Sequence, residues 1–150
     1  MASKYSGLVR SITPSTTDDN WFITGGAGEV GAVIEVHWGG EATSSTAMCT
    51  RVARASGQAG SPTAGNVAKL APNNPTNILT FGTTFATTQP TLDAGDLFAE
   101  SWNAHGGVVR WLAGQGEEFW LIGATTETVI SCRNSVGTAT SSYGTIWEEF

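Results

Sequence analysis

The sequence predicts an all-β protein, folded as a single-domain β-sandwich with about 8–10 short antiparallel strands. Apolar and polar residues alternate with a period of two along most of the chain, and turn-forming residues separate the alternating runs. The chain also holds 34 Ser and Thr residues and 19 Gly residues, and no run keeps a helical period over three turns. Because glycine and β-branched residues cost helix free energy, this composition favours strands over helices.

The alternating run Glu29–Trp38 is the clearest predicted strand, with Val33 as the one residue out of phase. Its apolar face is predicted to carry Val30, Ala32, Ile34, Val36 and Trp38. The other predicted strands are Ser6–Ile12, Trp21–Thr24, Ser45–Ala55, Ile78–Thr88, Asp96–Trp102, Gly107–Leu112, Glu118–Gly123, Glu127–Arg133 and Tyr143–Phe150. A jelly roll is the most economical arrangement of these strands in one domain, but strand number alone leaves an immunoglobulin-like sandwich open.

The length of 150 residues suits one domain, and we divide it into an N-terminal arm at 1–19 and a β-sandwich at 20–150. The arm is polar, carries few charges and lies at a terminus, where order usually requires a partner. One long connection, at about 55–77, is rich in Pro, Gly and Asn. Connections of this length are usually functional or disordered, and its low charge predicts a loop that packs on a neighbour.

The charge balance excludes two classes of partner. The chain has a net charge of −6 and a pI of about 4.7, so phosphate backbones repel it and nucleic-acid binding is not expected. It has no basic amphipathic stretch, no apolar run of 18 residues and no secretory signal in its first residues. We therefore expect no membrane association, and synthesis in the cytosol without export by that route.

The residues that carry chemistry in other proteins are not arranged for chemistry here. The motif G-x-G-x-x-G at 26–31 is followed by strand alternation where a dinucleotide site needs a helix, so it predicts a glycine-rich hairpin turn. His37 and His105 lack the spacing of metal ligands, and Cys49 and Cys132 are predicted to be buried free thiols. We expect no cofactor, no metal and no enzyme activity. Among residues available to an enzyme, Glu35 and Asp96 accompany the two histidines, and no motif groups them.

The six tryptophans are spread over the whole chain, each in or beside a predicted strand. Packing in the sandwich core accounts for three or four of them. One or two are expected at a subunit interface, where tryptophan is enriched. A sugar-stacking platform is the third possibility and would need two or three exposed rings.

Four phrases resemble small virion proteins of tailed bacteriophages, especially phages of aquatic bacteria. They are Ser11-Ile-Thr-Pro-Ser-Thr-Thr17, Gly40-Glu-Ala-Thr-Ser-Ser-Thr46, Asn103-Ala-His-Gly-Gly-Val-Val-Arg-Trp111 and Ile146-Trp-Glu-Glu149. Proteins of this kind are similar to capsid decoration, or cement, proteins. The resemblance implies a homo-oligomer, a trimer above all, that binds the major capsid protein on the outer capsid surface of the virion and bridges neighbouring subunits. It implies no catalytic residue.

We therefore expect a structural protein of the phage head, assembled in the host cytoplasm. A tail or fibre domain, or a lectin-like glycan-binding module, is the alternative. The residues predicted to contact a partner lie in the arm, at its junction with the sandwich and in the long loop. They are Tyr5, Ile12, Pro14, Trp21, Pro62 and Pro72. The sequence leaves open which face meets the capsid and whether the two cysteines are close together.

Overall fold

The computed structural model describes residues 2–123 and 129–150, and these residues form twelve β-strands and no helix. The strands are β1 Ser3–Ile12, β2 Trp21–Thr24, β3 Val30–Glu41, β4 Ala47–Ser56, β5 Pro62–Ala64, β6 Val67–Lys69, β7 Thr80–Phe85, β8 Thr91–Asn103, β9 His105–Leu112, β10 Phe119–Ile122, β11 Val129–Val136 and β12 Ser141–Glu149. All ten predicted strands are present, β2 at the predicted bounds and the other nine at shifted bounds, and β5 and β6 are additional. The first two residues of the predicted strand Glu127–Arg133 lie outside the described residues.

The strands form two antiparallel sheets that pack face to face, which confirms the all-β sandwich. In the part of the chain described, sheet A has the order β10-β3-β12-β1-β6, with β9 also paired to β3. Sheet B has the order β5-β7-β2-β11-β4-β8. The assignment of this sandwich as a jelly roll stays a prediction.

A β-bulge in β3 explains why Val33 breaks the alternation. Across the β3–β12 ladder, Ile146 lies opposite Glu35 but the next residue, Trp147, lies opposite Val33. The extra residue, Ile34, shifts the phase, so Val33 on one side of the bulge and Val36 on the other both join the core. The prediction that Ile34 faces the core with Val36 is therefore wrong.

Large aromatic side chains fill the space between the sheets. Trp21, Trp38 and Trp147 are fully buried, so the core accounts for three of the six tryptophans as predicted. The Phe81 ring lies parallel to that of Trp147, with 5.9 Å between centroids, and also contacts Trp21. Such pairs add about 0.5–1.5 kcal/mol each to the free energy of area burial, so this cluster helps to hold the two sheets together.

The prediction of a separate N-terminal arm is wrong for most of its length, because β1 lies inside sheet A between β12 and β6. The Tyr5 side chain is fully buried in the core, and Gly7 packs against the Phe81 ring. The accessible surface of 7169 Å² is close to the roughly 7,200 Å² expected of a compact monomer of 15.6 kDa. A segment with this burial cannot detach without opening the core.

The long connection at 55–77 packs on its own chain. Its strands β5 and β6 pair with β7 and β1 respectively, so that one three-residue strand covers one edge of each sheet. Beyond β6, the Tyr5 hydroxyl donates a hydrogen bond to the Pro75 carbonyl at 3.0 Å, and the Glu149 carboxylate accepts from the Ile78 and Leu79 amides. Residues 56–77 are nevertheless all half-buried or exposed, so the segment lies along the surface of the sandwich and burial does not account for its low charge.

The two cysteines lie on opposite faces of sheet B and are not close partners. Cys132 points into the core and is fully buried, whereas Cys49 is half-buried, with its neighbour Met48 in the core. In the β4–β11 ladder, Cys132 is opposite Val52, three residues along from Cys49. The prediction of buried free thiols is confirmed for Cys132 and only partly for Cys49.

Candidate functional site

An exposed apolar surface lies at one end of sheet A and begins on β10. The sequence Phe-Trp-Leu-Ile of β10 alternates across the sheet, so Phe119 and Leu121 enter the core. Trp120 and Ile122 consequently face outwards, and 42% of the Trp120 surface is exposed. An exposed tryptophan in a regular strand is costly in water unless a partner covers it.

Phe150 extends this surface from the C-terminal end of β12. Its amide donates a hydrogen bond to the Val30 carbonyl at 3.1 Å, which continues the β3–β12 ladder. Its ring stacks on Trp120 with 5.1 Å between centroids and 23° between planes, although 59% of Phe150 stays exposed. Ile78 lines a shallow cleft together with Phe150 and is exposed too. We call Ile78, Trp120, Ile122 and Phe150 the terminal apolar patch.

A polar groove of about 310 Å³ borders the patch on the outer face of sheet A. Ile34, displaced outwards by the β3 bulge, and Leu112 supply its apolar lining. The Lys4 ammonium meets the Glu148 carboxylate there at 2.8 Å, and this ion pair is largely exposed on the lysine side. The patch with its groove thus has the apolar centre and polar border that protein interfaces have.

The partner-contact residues predicted from the sequence do not form this surface. Tyr5 and Trp21 are fully buried in the core, and Pro14 is buried as well, so these three predictions are wrong. Burial removes a side chain from any partner of the folded chain. Ile12 packs partly against the core and Pro62 lies half-buried in β5, whereas Pro72 is exposed.

The patch residues were accessible to sequence reasoning in one respect. Strand alternation places Trp120 and Ile122 on the face opposite Phe119 and Leu121. The sequence does not say which of these two apolar faces is covered, because both alternate sets are equally hydrophobic. Phe150 and Ile78 join the patch only through the register of β12 and the return of the long connection.

The residues available to an enzyme are only partly brought together. His37 Nδ1 lies 3.4 Å from Glu35 Oε1, and the Arg110 guanidinium donates two hydrogen bonds of 2.8 Å to the same carboxylate. These hydrogen bonds hold the pKa of Glu35 below its ordinary value against the opposing effect of burial. His105 and Asp96 lie elsewhere: His105 contacts the Ala42 carbonyl, and Asp96 pairs with Arg51 on sheet B. Glu35 and Arg110 therefore form an ion pair on the outer face of sheet A, with His37 beside it.

The glycine-rich segment at 26–31 forms a turn, although not a hairpin within one sheet. It joins β2 of sheet B to β3 of sheet A. Gly28 has a φ of 82°, and the Glu29 carboxylate accepts a hydrogen bond of 2.6 Å from the Gly26 amide. The Glu29 side chain therefore satisfies this loop amide from within the chain, and Gly28 supplies the positive φ that the turn needs.

Comparisons with protein-family models, with curated proteins and with solved structures return no match. Within residues 2–123 and 129–150, no three His, Cys, Asp or Glu side chains gather as a metal site would require. The same residues contain no helix that is able to span a bilayer.

Proposed function

We propose that this protein is a virion structural protein that decorates the outside of a phage head and stabilises the capsid lattice by bridging neighbouring major capsid subunits. The observation that carries the proposal is the terminal apolar patch, where the stacked rings of Trp120 and Phe150 are exposed at the surface. An exposed patch bounded by polar residues marks an interaction site on a folded domain. The sequence resemblance supplies the kind of partner.

The low charge of the chain favours docking on a large protein surface. Only 13% of residues are charged, so an interface buries few ions that would lose hydration. Repetition of the same contact over a lattice, or within an oligomer such as the expected trimer, multiplies a weak individual affinity. Attachment of this kind needs no covalent chemistry.

We propose further that the sandwich is a jelly roll, which supports the resemblance to virion proteins at the level of fold. Strands β1 to β4 alternate between sheets A and B, whereas consecutive strands of an immunoglobulin-like sandwich often share a sheet. The later strands return between them, with β12 between β1 and β3 and β11 between β2 and β4. A returning strand beside the first is the Greek-key relation on which jelly rolls are built.

The proposal is tested by quantitative mass spectrometry of purified virions of the phage whose genome encodes this chain. Hundreds of copies in a near-integer ratio to the major capsid protein are expected. Absence from the particle would overturn the proposal, and a handful of copies would replace it with the tail or fibre assignment.

The surface is tested separately by adding the purified chain to capsids that lack it. Trp120→Ser together with Phe150→Ser should abolish co-sedimentation with these capsids, because it removes the apolar centre of the contact. Val136→Ser is the matched control, since Val136 is equally exposed but lies on β11 of sheet B. Equal binding by the patch variant and the control would show that the capsid is contacted elsewhere.

A glycan-binding role is favoured by the same exposed ring pair, because sugars stack on exposed aromatic rings. Titration of the chain with host polysaccharide, followed by tryptophan fluorescence, distinguishes it. Quenching that disappears with Trp120→Ser would support this second function, and an unchanged signal would exclude it for the patch.

A further inference from the structure

Strand β8 is the most open strand of the sandwich. None of its thirteen residues is buried, whereas β4, its neighbour in sheet B, has five buried residues. Yet β8 supplies three large side chains that pack partly against the core, Leu97, Phe98 and Trp102. Apolar side chains that reach the core without being covered leave the sandwich incompletely closed on this side.

Strand β9 has the same character in sheet A. Val109 and Trp111 pack partly against the core, and the Trp111 ring contacts Phe98 of β8 with 6.1 Å between centroids. Val108, on the outer face, is 78% exposed. The strands β8 and β9, which are joined through Ala104 alone, thus form one continuous open side of the molecule.

The backbone of this side is also unpaired in the described part of the chain. Each of β8 and β9 has a strand on one side only, β4 and β3 respectively. The opposite side of the molecule differs, because three-residue strands end both sheets there. A long open edge presents free N–H and C=O groups that readily pair with another strand.

The two edges carry different charged residues. Strand β8 carries Asp93, Asp96 and Glu100 and no Lys or Arg, while β9 carries Arg110 and no acid. Two β8 edges would place like charges together, which destabilises strand pairing. Asp96 and Arg110 already form ion pairs within their own chain. A β8 edge against a β9 edge avoids the like charges of a β8–β8 pair and brings the largely exposed Arg110 side chain towards Asp93 and Glu100.

We propose that a second copy of this chain occupies the open side, with β8 of one copy pairing with β9 of the next. This pairing extends sheet B of one copy into sheet A of its neighbour and covers the half-buried aromatic side chains. Because it joins two different strands, the contact is heterologous, and repeated copies form a ring if the rotation between them closes and an open filament if it does not. The inference does not depend on the virion role, since it concerns only contacts between identical chains.

Sedimentation velocity of the full chain over a wide range of concentrations tests the assembly. The expected result is a species whose mass is a multiple of 15.6 kDa, present at the higher concentrations and dissociating on dilution. A chain that stays monomeric at every concentration would overturn the proposal, whatever its behaviour on capsids.

Edge variants test where the contact lies. Val108→Glu places an acid on β9 opposite acidic β8 and should weaken association about tenfold or more. Glu100→Lys should weaken it about two- to fivefold by removing the charge match, and the loss should shrink in high salt. Val136→Glu is the matched control, with an exposed valine on a strand that has neighbours on both sides.

Hydrogen exchange supplies a readout that a merely unfolded variant would not reproduce. In the wild-type chain, amides of 91–103 and 105–112 should exchange more slowly at high than at low concentration, while those of β5 and β6 should not change. Thermal unfolding of each variant should match the wild-type monomer. Association that survives both edge variants, or protection confined to other strands, would overturn the proposed pairing.

Discussion

The Asp19 carboxylate and the Arg133 guanidinium meet at 2.7 Å in a site that is nearly closed to water. Asp19 lies in the connection that leads into β2, and the Ser131 hydroxyl donates a short hydrogen bond to the same carboxylate. Arg133 also donates to the Pro90 carbonyl at 3.0 Å, so this pair ties two connections to the outer face of sheet B. Burial raises the pKa of Asp19 despite the lowering effects of Ser131 and Arg133, so desolvation outweighs pairing.

Removal of one partner of this pair should destabilise the fold strongly. We expect Asp19→Ala to lower the free energy of unfolding by about 3–5 kcal/mol, because it leaves the Arg133 charge buried without a partner. The double variant Asp19→Leu with Arg133→Met should recover most of this loss, since the raised pKa indicates little net benefit from the pair. Urea unfolding at neutral pH measures both values. A double variant less stable than Asp19→Ala would contradict the desolvation argument.

Gly7 provides a direct test of the position of β1. A Cβ atom at Gly7 would lie 2.5 Å from the ring of the buried Phe81, so Gly7→Ala should cost about 1–3 kcal/mol through overpacking. Gly95→Ala is the matched control, because a Cβ there meets no atom within 4 Å. Its effect should stay within about 0.5 kcal/mol. Equal thermal unfolding of the two variants would mean that the N-terminal residues are not part of the sheet.

The Glu35 network makes stability depend on pH in a defined direction. The hydrogen bonds from Arg110 hold the pKa of Glu35 below its ordinary value, so folding favours the ionised form. Its contribution is therefore present above the unfolded pKa of about 4.3 and is lost as the pH falls through the folded value. Glu35→Gln should be less stable than the wild-type chain near pH 7, and the difference should shrink on acidification.

Denaturant unfolding at a series of pH values measures this difference. Arg110→Met should remove most of the same pH dependence, because Arg110 is the largest cause of the lowered pKa. A difference between wild type and Glu35→Gln that grows at low pH would reverse the sign and refute the assignment.

The two thiols should differ in reactivity. Burial raises the pKa of Cys132 well above its ordinary value, so this residue lacks both exposure and thiolate. A thiol reagent should modify one cysteine per folded chain, and two after denaturation. Cys49→Ser should abolish the reaction of the folded chain, whereas Cys132→Ser should leave it unchanged. Rapid modification of both thiols in the wild-type chain would contradict the packing of β11.

Strand periodicity predicted most of the fold because burial enforces it. Wherever one face of a strand is covered, as at residues 47–52 of β4, more and less buried positions alternate and the strand is visible in the sequence. The short strands β5 and β6 escaped prediction because three residues give no detectable period. The arm was misassigned because Ser3–Ile12 has few large apolar residues. Gly7 is buried against the Phe81 ring, but it has no side chain that would mark this position as buried in the sequence.

The terminal apolar patch was harder to predict for a different reason. An apolar residue in a strand gives the same sequence pattern whether its face of the strand packs on the other sheet or is exposed to solvent. The choice between Trp120 and Trp147 as the exposed ring depends on which layer covers them, and that is set by tertiary packing. Charge pairs such as Asp19 with Arg133 join residues more than a hundred positions apart, and no local pattern marks them.

The ladder between β1 and β12 pairs Ser3 with Glu149, so the two chain ends lie side by side, next to the stacked rings of Trp120 and Phe150. A purification tag, fluorophore or fused cargo attached at either end is consequently delivered to the same place. Under the docking proposed for the terminal apolar patch, such a label would stand at the contact with the particle instead of on the outward-facing side. A display scaffold built from this domain would therefore need new ends, opened in a distant turn and joined across the present ones by a short linker.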